Sequence, residues 1–476
     1  MRLLKDKAII NGEWVSAKSK ATFDIRNPRN GEKIGAVPHM DATDTELAIT
    51  AAYEAFQTWQ DVTGDQRSAL LKKWAEVVQA NGEELCEILS AETGKSSGDA
   101  QMELTYLISG IEYFAEEAKR IQGEIVSSPV PGKKLLVERQ PLGVVGLITP
   151  WNFPMMLGGK KIVTALAAGC TCVVKPPEDA PLSTLSIVQL AHDAGIPKGV
   201  INVVTCDRPN ASEIGKALCE SRLIAGMSFT GSTAVGKILY QQCGPHIKRI
   251  SLELGGNSPY LVFDSANVDL AVQLAMVSKF IHCGQACIAA NRFLVQEKVY
   301  EEFVSKLTEA IKTIKAGENL GPLMNANQFK RVCGFVEDAR SKGAKIILGG
   351  QPAKNVGELF YQPTLITGVT TKMQVYTDEI FGPVAAIVKF KTEEEGVEMA
   401  NDTEKGLGAY FFSQDVSQIF RVSKRIQSGC VWVNDTIFVP DAAPFGGIKE
   451  SGIGKEGSHR GIDEFTYTKF ICIGSL

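Results

Sequence analysis

A cysteine set among small residues is the first feature of this sequence that could do chemistry. Cys287 lies in the segment KFIHCGQACIAANR, residues 279–292, with Gly284, Ala286 and Ala289 close by in sequence. A thiol acts as a nucleophile when part of it is ionised and a substrate can reach it, and small neighbours provide that access. Alternatively, Cys287 is a buried structural cysteine, because free cysteines are among the most buried residues in proteins. Residues elsewhere in the chain must decide between these interpretations.

An acidic residue at the end of a predicted strand could serve as a base. Glu253 stands between Leu252 and Leu254, and the alternation of side chains along a strand places it on the face opposite both leucines. A carboxylate beside apolar groups has a raised pKa, which suits a general base near neutral pH. Alternatively, Glu253 lies on the exposed face of an edge strand.

An asparagine follows another predicted strand, in the segment TPWNFP of residues 149–154. Asn152 offers an uncharged amide donor, the kind of group that stabilises an oxyanion. Asparagine next to proline is also a common turn former, and this is the alternative interpretation. Asn152 is therefore a candidate for transition-state stabilisation only if it lies near the cysteine.

Two further segments have features of a nucleotide site. Lys175 and Glu178, in KPPE, follow a predicted buried strand, where open α/β sheets bind ligands, and both side chains can bond ribose hydroxyls. In the segment FTGSTAVG, residues 229–236, a strand leads into a helix opened by Gly231 and Ser232, whose unpaired N–H groups suit a phosphate. The alternatives are a solvated charged turn at Lys175 and a plain helix cap at Ser232.

Two loops punctuated by glycine and proline each contain an aromatic residue. Glu379 and Phe381 lie in EIFGP, and Phe445 lies in PFGGIKESG. Aromatic loops form the walls of many substrate sites, although ordinary turns use the same residue types. These loops are therefore candidate walls of a site.

The elements that would position these residues are short apolar strands alternating with helices, which predicts parallel sheets built from βαβ units. The predicted strands cover residues 143–148, 170–175, 199–204, 259–263, 292–295, 346–348 and 384–390, and the predicted helices cover residues 160–168, 183–194, 212–219, 268–280, 300–314 and 332–342. Helical spacing also covers residues 45–90 and 104–121, and an Asn-Gly pair predicts a hairpin over residues 8–15. The pattern restarts after residues 253–256, which predicts two α/β lobes.

Composition limits the classes of function. The 476 residues are 44% hydrophobic and 22% charged with a formal net charge of −4, ordinary values for a soluble globular protein. No basic run favours nucleic acid or an anionic membrane, and no apolar run approaches the roughly 20 residues of a membrane span. The 11 cysteines are scattered and show no metal-binding spacing, so we expect no metal and a reducing compartment, the cytoplasm. The first residues lack the apolar core of a signal peptide.

Taken in order, these motifs closely resemble those of the aldehyde dehydrogenase superfamily. The resemblance runs from NGEW through TPWNFP, KPPE, FTGS, LELGG, GQAC and EIFGP to PFGGIKESG. The surrounding sequence, including SLELGGNSPYLVFDSANVDLAV, is most similar to the succinate-semialdehyde dehydrogenase branch. The resemblance implies an α/β fold with a Rossmann-type NAD-binding domain (residues 1–121 and 142–254), a catalytic domain (residues 255–448) and a β oligomerisation arm (residues 122–141 and 462–476).

The resemblance also implies a role for each motif. Cys287 is the nucleophile, Asn152 and the Cys287 backbone N–H hold the oxyanion, and Glu253 activates the water that hydrolyses the thioester. Together with Lys175, these residues form the expected catalytic set. The expected cofactor-binding residues are Thr149, Trp151, Lys175, Glu178, Gly231, Ser232, Leu254, Glu379 and Phe381. The expected cofactor is NAD rather than NADP, because the carboxylate of Glu178 disfavours a 2′-phosphate.

The expected substrate pocket contains Lys160, Ile281 and Phe445. The succinate-semialdehyde branch typically has arginine where Lys160 and Ile281 align, and serine near Val439 or Pro440. Arginine suits a carboxylate because it pairs with it in a bidentate way. We therefore expect a more apolar pocket, with succinate semialdehyde or a less polar aldehyde as the substrate. The alternative is a different class of function, a catalytically silent structural or binding protein. The presence of Cys287, Glu253, Asn152 and Lys175 together argues against it.

Two further expectations concern oxidation and assembly. Cys283 lies four residues before Cys287, so a helical backbone would place the two Cα atoms within disulfide range and an extended one would not, which leaves a redox switch open. The neighbouring His282 is no evidence for a Cys–His hydrolase, since adjacency in sequence does not make a dyad. The predicted arm and the tail of residues 465–473 resemble the family's β arm and its partner strand, which implies a homodimer or homotetramer.

Overall fold

The computed structural model of the protein describes residues 2–474. Met1 of the predicted NAD-binding domain, and Ser475 and Leu476 of the predicted arm, lie outside the described residues. Two large sheets, a three-stranded sheet and a two-stranded sheet organise the chain, with helices packed against the large sheets. The prediction of an α/β fold is confirmed. Within residues 2–474, no helix is long and apolar enough to cross a membrane.

Within residues 2–474 the chain forms 20 strands, 15 α-helices and four short 3-10 helices. The strands are β1 (Ala8–Ile10), β2 (Glu13–Val15), β3 (Thr22–Arg26), β4 (Lys33–Pro38), β5 (Glu124–Val126), β6 (Lys134–Pro141), β7 (Val144–Ile148), β8 (Thr171–Lys175), β9 (Ile201–Val203), β10 (Ile224–Thr230), β11 (Arg249–Glu253), β12 (Pro259–Val262), β13 (Arg292–Gln296), β14 (Lys345–Leu348), β15 (Thr364–Thr367), β16 (Val384–Phe390), β17 (Gly408–Phe412), β18 (Cys430–Val433), β19 (Gly452–Ile453) and β20 (Thr466–Ile473). The helices are α1 (Ala42–Trp59), α2 (Gly64–Ala80), α3 (Gly82–Thr93), α4 (Ser97–Glu117), α5 (Pro154–Ala168), α6 (Leu182–Asp193), α7 (Ala211–Glu220), α8 (Thr233–Cys243), α9 (Val268–Phe280), α10 (Glu297–Ile311), α11 (Ala326–Ser341), α12 (Gln374–Thr377), α13 (Glu393–Asn401), α14 (Val416–Arg425) and α15 (Ser458–Asp463). Short 3-10 helices span Ala118–Arg120, Gly244–His246, Ile281–Gly284 and Lys449–Ser451.

The first large sheet has the order β19-β11-β10-β7-β8-β9-β1-β2. Strands β11, β10, β7, β8 and β9 are parallel, and β1 and β2 add the predicted hairpin, with Asn11 (φ 53°) and Gly12 (φ 71°) in its turn. Every residue of β7 and β8 is buried, as expected for strands covered on both faces. The carboxyl ends of β7, β8, β10 and β11 therefore meet at one edge, and each is followed by a motif singled out in the sequence.

The second large sheet has the order β14-β15-β16-β13-β12-β17-β18 and is parallel except at β14. Its strands come from residues 259–433, whereas the short strand β19 returns to the first sheet beside β11. Residues 254–258 connect β11 of the first sheet to β12 of the second, at the place where the sequence pattern restarts. The domain boundaries stay a prediction.

Helix α5 begins earlier than predicted. The apolar spacing indicated a helix from Lys160, but α5 starts at Pro154, a residue that the first helical turn accepts because its missing N–H needs no partner there. The carboxylate of Glu103, on α4, accepts the backbone N–H groups of Met155 (2.9 Å) and Met156 (3.0 Å). This cap from another helix fixes the start of α5 directly after Asn152.

The arm is a three-stranded antiparallel sheet with the order β20-β6-β5. The whole of β20 pairs with β6, from Thr466 opposite Pro141 to Ile473 opposite Lys134, so the predicted pairing of the tail with the arm is confirmed. The most exposed apolar side chains on this sheet are Ile125, at 83% exposure, and Phe470, at 62%. Such exposed apolar residues on a sheet are typical of a contact surface.

Candidate active site

A cleft of about 570 Å³ opens at the edge where β7, β8, β10 and β11 end. All of the residues predicted for catalysis and cofactor binding line it, namely Thr149, Trp151, Asn152, Lys175, Glu178, Gly231, Ser232, Glu253, Leu254, Cys287, Glu379 and Phe381. The structure therefore brings together residues that are spread over nearly half of the chain, from Thr149 to Phe381. Their grouping in one cleft is a consequence of the fold.

The loop that carries Cys287 is shaped by an unusual backbone turn. His282 (φ 44°), Cys283 (φ 58°) and Gly284 (φ 74°) all have left-handed conformations, after which the chain turns towards the cleft. Gly284 is required there, because a Cβ atom would lie 2.3 Å from the carbonyl oxygen of Gly382. Gln285 holds the next turn, since its side-chain carbonyl accepts the Met324 N–H (2.9 Å).

Cys287 is partly exposed and lines both the cleft and a smaller cavity beside it. Burial raises the pKa of its thiol, and the nearby carboxylates of Glu379, Glu253 and Glu456 raise the pKa further. The thiol is therefore protonated at neutral pH in the free protein. Its conversion to a nucleophile needs a group that accepts the proton or a positive charge close to the sulfur.

Asn152 lies beside this loop. Its side-chain amide donates to the carbonyl oxygen of Gln285 (3.1 Å), which ties the end of β7 to the residue pair before Cys287. The side-chain oxygen of Asn152 is buried and has no hydrogen-bond partner within residues 2–474. The alternative interpretation, an asparagine used only as a turn former, does not account for this contact with the cysteine loop.

Glu253 is the last residue of β11 and is only 3% exposed. The interpretation of an exposed edge strand is wrong, because β11 lies between β10 and β19. Neither carboxylate oxygen of Glu253 has a hydrogen-bond partner in the described part of the chain. Burial raises the pKa of Glu253 well above its ordinary value, and the carboxylate of Glu456 adds to this, while Lys161 opposes it. An unpaired carboxylate with a raised pKa has the properties of a general base.

Gly446 allows the carboxylate of Glu253 to sit where it does. A Cβ atom at Gly446 would lie 2.6 Å from Glu253 Oε1, and the backbone there has φ 157°. The loop PFGG, predicted as a wall of the site, is therefore in direct contact with the candidate base. The backbones of Phe445 and Glu456 pair in both directions at 2.7 Å and hold this wall in place.

Lys175 and Glu178 also line the cleft, where they form an ion pair. Lys175 is 3% exposed, so the interpretation of a solvated charged turn is wrong. The backbone N–H of Thr149 donates to the Lys175 carbonyl oxygen (3.2 Å), while the hydroxyl of Thr149 is buried without a partner among the residues described. These groups offer a lysine, a carboxylate and an unpaired hydroxyl to a ligand.

The amino end of α8 also faces the cleft. Ser232 accepts the Val235 N–H (3.3 Å), so the helix cap that the sequence allowed is present. Gly231 and Ser232 nevertheless line the cleft, and the unpaired N–H groups of an 11-residue helix favour an anion at that end. The two interpretations of this segment are therefore compatible.

Glu379 and Phe381 close the cleft on the side of the second sheet. The Glu379 carboxylate accepts the Gly256 N–H (3.0 Å), and burial raises its pKa to about 7. The rings of Phe381 and Trp151 meet edge to face with centroids 5.4 Å apart. A Cβ atom at Gly255 would lie 2.5 Å from the Glu379 carboxylate, so the backbone must approach it closely. Together with the unpaired Thr149 hydroxyl and the free end of α8, this lining fits a nicotinamide dinucleotide.

A second cavity of about 120 Å³ adjoins the cleft at Cys287. It contains the three residues predicted for the substrate pocket: Lys160, Ile281 and Phe445. Most of its lining is apolar or aromatic: Met102, Tyr106, Phe153, Met156, Leu157, Ile281, Ala286, Ile288, Ile437, Val439 and Phe445. Lys160 Nζ lies 3.5 Å from Asp441 Oδ1, so its charge is paired inside the cavity.

Two site residues were missed by sequence reasoning. Glu456 lines the cleft and the cavity and forms an ion pair with Lys161, which also donates to Ser228 Oγ (2.8 Å). Asp441 lies in an irregular loop and pairs with Lys160. The local sequence does not mark either acid, because the lysine with which each one pairs lies far away in the sequence.

Cys283 and His282 are both buried beside the site. The backbone between Cys283 and Cys287 is neither helical nor extended, and both thiols are free. The redox switch between these two thiols stays an open hypothesis. Burial lowers the pKa of His282, and Lys95 lowers it further, so the imidazole is neutral. Among residues 2–474, no group of three or more His, Cys, Asp or Glu side chains is placed to bind a metal ion.

Comparison with known proteins gives a consistent result. The model of the aldehyde dehydrogenase family matches residues 14–471. The chain is 45% identical over 481 residues to the mitochondrial succinate-semialdehyde dehydrogenase of Rattus norvegicus, covering 100% of this chain and 91% of that protein. Among solved structures, an NADP-dependent enzyme of E. coli is 42% identical with a TM-score of 0.97, covering 99% of both chains. A succinate-semialdehyde dehydrogenase from Burkholderia pseudomallei is 43% identical with a TM-score of 0.97, covering 99% of this chain and 98% of that one.

Proposed function

Since this chain belongs to the aldehyde dehydrogenase family, we propose that it oxidises an uncharged or weakly polar aldehyde to the carboxylic acid, with NAD as the cofactor and Cys287 as the nucleophile. NAD(P)-dependent oxidation of aldehydes is the activity of this oxidoreductase. A catalytically silent protein is disfavoured, because Cys287, Glu253, Asn152 and Lys175 all line one cleft.

The first step needs a thiolate. Because the pKa of Cys287 is raised in the free protein, the thiol must lose its proton to water as the substrate and the cofactor bind, and the positive charge of a nicotinamide bound in the same cleft would favour that loss. The sulfur then adds to the aldehyde carbon and forms a thiohemiacetal. The oxygen that becomes negative is held by the Asn152 amide and the backbone N–H of Cys287.

The second step needs a water molecule activated beside the acyl group. When bound, the nicotinamide cofactor supplies the acceptor for the hydride that leaves the thiohemiacetal. This leaves a thioester on Cys287. Glu253 removes a proton from water, the resulting hydroxide attacks the thioester, and the carboxylic acid leaves. The raised pKa of Glu253 suits this role, because the carboxylate must both take up and release a proton near neutral pH.

The cofactor would be held by residues from both sheets. Lys175 and Glu178 would bind the adenosine ribose, Gly231 and Ser232 the pyrophosphate, and Glu379 the nicotinamide ribose. Thr149, Trp151, Leu254 and Phe381 complete the lining of the cleft. Glu178 supports NAD over NADP, because its carboxylate would face a 2′-phosphate with like charge.

The substrate proposal is carried by a single observation, the apolar cavity at Cys287. Ile281 cannot pair with a carboxylate, and Lys160 is already paired with Asp441. An aldehyde that carries its own carboxylate would have to give up its hydration without gaining a free cation. Succinate semialdehyde is the second candidate, because the similar proteins bear that name and Lys160 is a cation inside the cavity.

Initial rates of NADH formation test the function directly. We expect turnover of butanal, hexanal and benzaldehyde, slower turnover of succinate semialdehyde, and lower kcat/KM with NADP than with NAD. Cys287→Ala is the control for background reduction. The function is refuted if the wild-type protein reduces NAD no faster than this variant with every aldehyde. The substrate proposal alone is refuted if succinate semialdehyde is strongly preferred.

We also propose the assembly and the domain plan that the resemblance implies. Residues 1–121 and 142–254 would form the NAD-binding domain, residues 255–448 the catalytic domain, and residues 122–141 and 462–476 the arm. The exposed Ile125 and Phe470 of the arm support a homodimer or homotetramer. The cytoplasm stays a prediction from cysteine usage. The mass in solution, measured by light scattering, tests the assembly.

A further inference from the structure

We infer that Asp441 is a specificity-determining residue, which pairs with Lys160 and so prevents that lysine from binding the carboxylate of a charged aldehyde. The inference rests on the proposed function, because it concerns the aldehyde that the same site accepts. It explains how a cavity that contains a cation can still favour uncharged substrates. It assigns a role to an acid that the sequence motifs do not include.

The pair is built into the wall of the cavity. Lys160 projects from α5 and Asp441 from the loop between β18 and β19, and their side chains are only 14% and 8% exposed. Lys160 Nζ and Asp441 Oδ1 are 3.5 Å apart. Ser109, on α4, donates its hydroxyl to Asp441 Oδ2 (2.7 Å) and so fixes the carboxylate from behind. The hydrogen bond from Ser109 therefore holds Asp441 next to Lys160, and this bond does not depend on the lysine.

The other acids of the cavity have lysine partners of their own. Glu103 pairs with Lys95, and Glu456 pairs with Lys161. Neither of these lysines lines the cavity, so Lys160 is the only cation on its wall within residues 2–474. The net charge at this wall therefore depends on whether Asp441 is paired with Lys160.

A substrate carboxylate that entered the cavity would meet Lys160 and Asp441 together. Attraction to the lysine would be offset by repulsion from the aspartate, and the carboxylate would still lose its water. An uncharged aldehyde loses little water and needs no cation. If Asp441 lost its charge, Lys160 would be free to form a charge-assisted hydrogen bond with a substrate carboxylate.

The variant Asp441→Asn tests this, because it keeps the shape of the side chain and an oxygen that accepts from Ser109. The measured quantity is kcat/KM for succinate semialdehyde divided by kcat/KM for butanal, which has the same number of carbons. We expect this ratio to rise by about tenfold or more, as expected for a hydrogen bond to a charged group. The rise should be absent when Lys160 is also replaced by methionine. The matched control Asp264→Asn removes an aspartate paired with Lys298 at 2.6 Å, outside the cavity, and should leave the ratio unchanged.

The variant Lys160→Arg gives an independent test that keeps Asp441 in place, and it decides the matter if Asp441→Asn does not fold. Arginine should pair with Asp441, so the ratio should stay within about twofold of the wild-type value. The inference is overturned if the ratio rises tenfold in Lys160→Arg, or if it is unchanged in a folded Asp441→Asn protein. It is also overturned if Asp441→Asn raises the ratio equally when Lys160 is replaced by methionine. A wild-type protein that oxidises no aldehyde overturns the proposed function as well, whereas an active protein with an unchanged ratio in Asp441→Asn overturns only this inference.

Discussion

Replacing Glu253 with glutamine should separate the two halves of the reaction. The first half, attack by Cys287 and loss of hydride, ends in a thioester, and the second half needs a base to activate water. Glu253 has the raised pKa and the unpaired oxygens that this base requires. Glu456 is an acid that lines both the cleft and the cavity, but it is already paired with Lys161. We therefore expect Glu253→Gln to stall with the acyl group on Cys287.

The size of the effect follows from the role of the base. General base catalysis contributes about 10²–10⁴-fold, so the steady-state kcat should fall by about that factor. Glutamine keeps the volume of the side chain beside Gly446, and a buried unpaired amide costs less free energy than a buried unpaired carboxylate. The pKa of Glu253 is higher in the folded protein than in the unfolded chain, so the wild type loses stability as the pH rises through that folded value. The variant lacks this loss and should unfold at no lower temperature than the wild type at pH 8.

Rapid mixing with butanal and NAD provides the assay. We expect a burst of one NADH per subunit followed by a slow steady state, and intact-mass spectrometry should find the acyl group on the protein. In the wild type, deacylation should speed up as the pH rises through the raised pKa of Glu253, and this dependence should vanish in the variant. Glu337→Gln, a surface glutamate paired with Arg340, is the matched control. Unchanged steady-state turnover, or a slow variant that carries no acyl group, would refute the role of Glu253.

Other residues give predictions of the same kind. Asn152→Ala removes the amide beside Cys287, so kcat should fall by about 10²–10³-fold, and an unchanged kcat contradicts the oxyanion role. Glu178→Gln removes the negative charge that disfavours a 2′-phosphate, so kcat/KM with NADP should rise by about tenfold relative to NAD; an unchanged ratio contradicts its role. Because the pKa of Glu379 is raised to about 7, its carboxylate takes up a proton and loses its negative charge as the pH falls below that value. The KM for NAD should therefore rise below pH 7 in the wild type but not in Glu379→Gln, and parallel profiles contradict this. Phe470→Asp places a charge at an exposed apolar position of the arm, so gel filtration should show a smaller species, and an unchanged elution volume contradicts the role of the arm.

The arrangement of the strands could be predicted because burial leaves a local signal. Strands β7 and β8 are continuous apolar runs, since helices cover both of their faces. In a parallel sheet their carboxyl ends lie at one edge, so the residues that follow, such as Asn152 and Glu178, could be expected in one cleft. Cys287 was recognisable from its small neighbours, and Gly284 is small because the carbonyl oxygen of Gly382 leaves no room for a Cβ atom.

Contacts between distant segments could not be predicted in this way. The partner of Lys160 is Asp441, in an irregular loop, and no periodicity links the two. The early start of α5 depends on Glu103, a cap that comes from another helix. The interpretation of Glu253 as an exposed edge residue failed because β19 has only two residues, too few to leave a pattern. In each case the deciding interaction is tertiary, and the local sequence does not record it.

The relative rates for butanal and succinate semialdehyde test the central claim most directly. Both aldehydes have four carbons, and they differ by one carboxylate, which the apolar cavity and the Lys160–Asp441 pair should disfavour. With NAD at saturation, we predict a kcat/KM for butanal at least about tenfold higher than that for succinate semialdehyde. A kcat/KM that is higher for succinate semialdehyde would contradict the account.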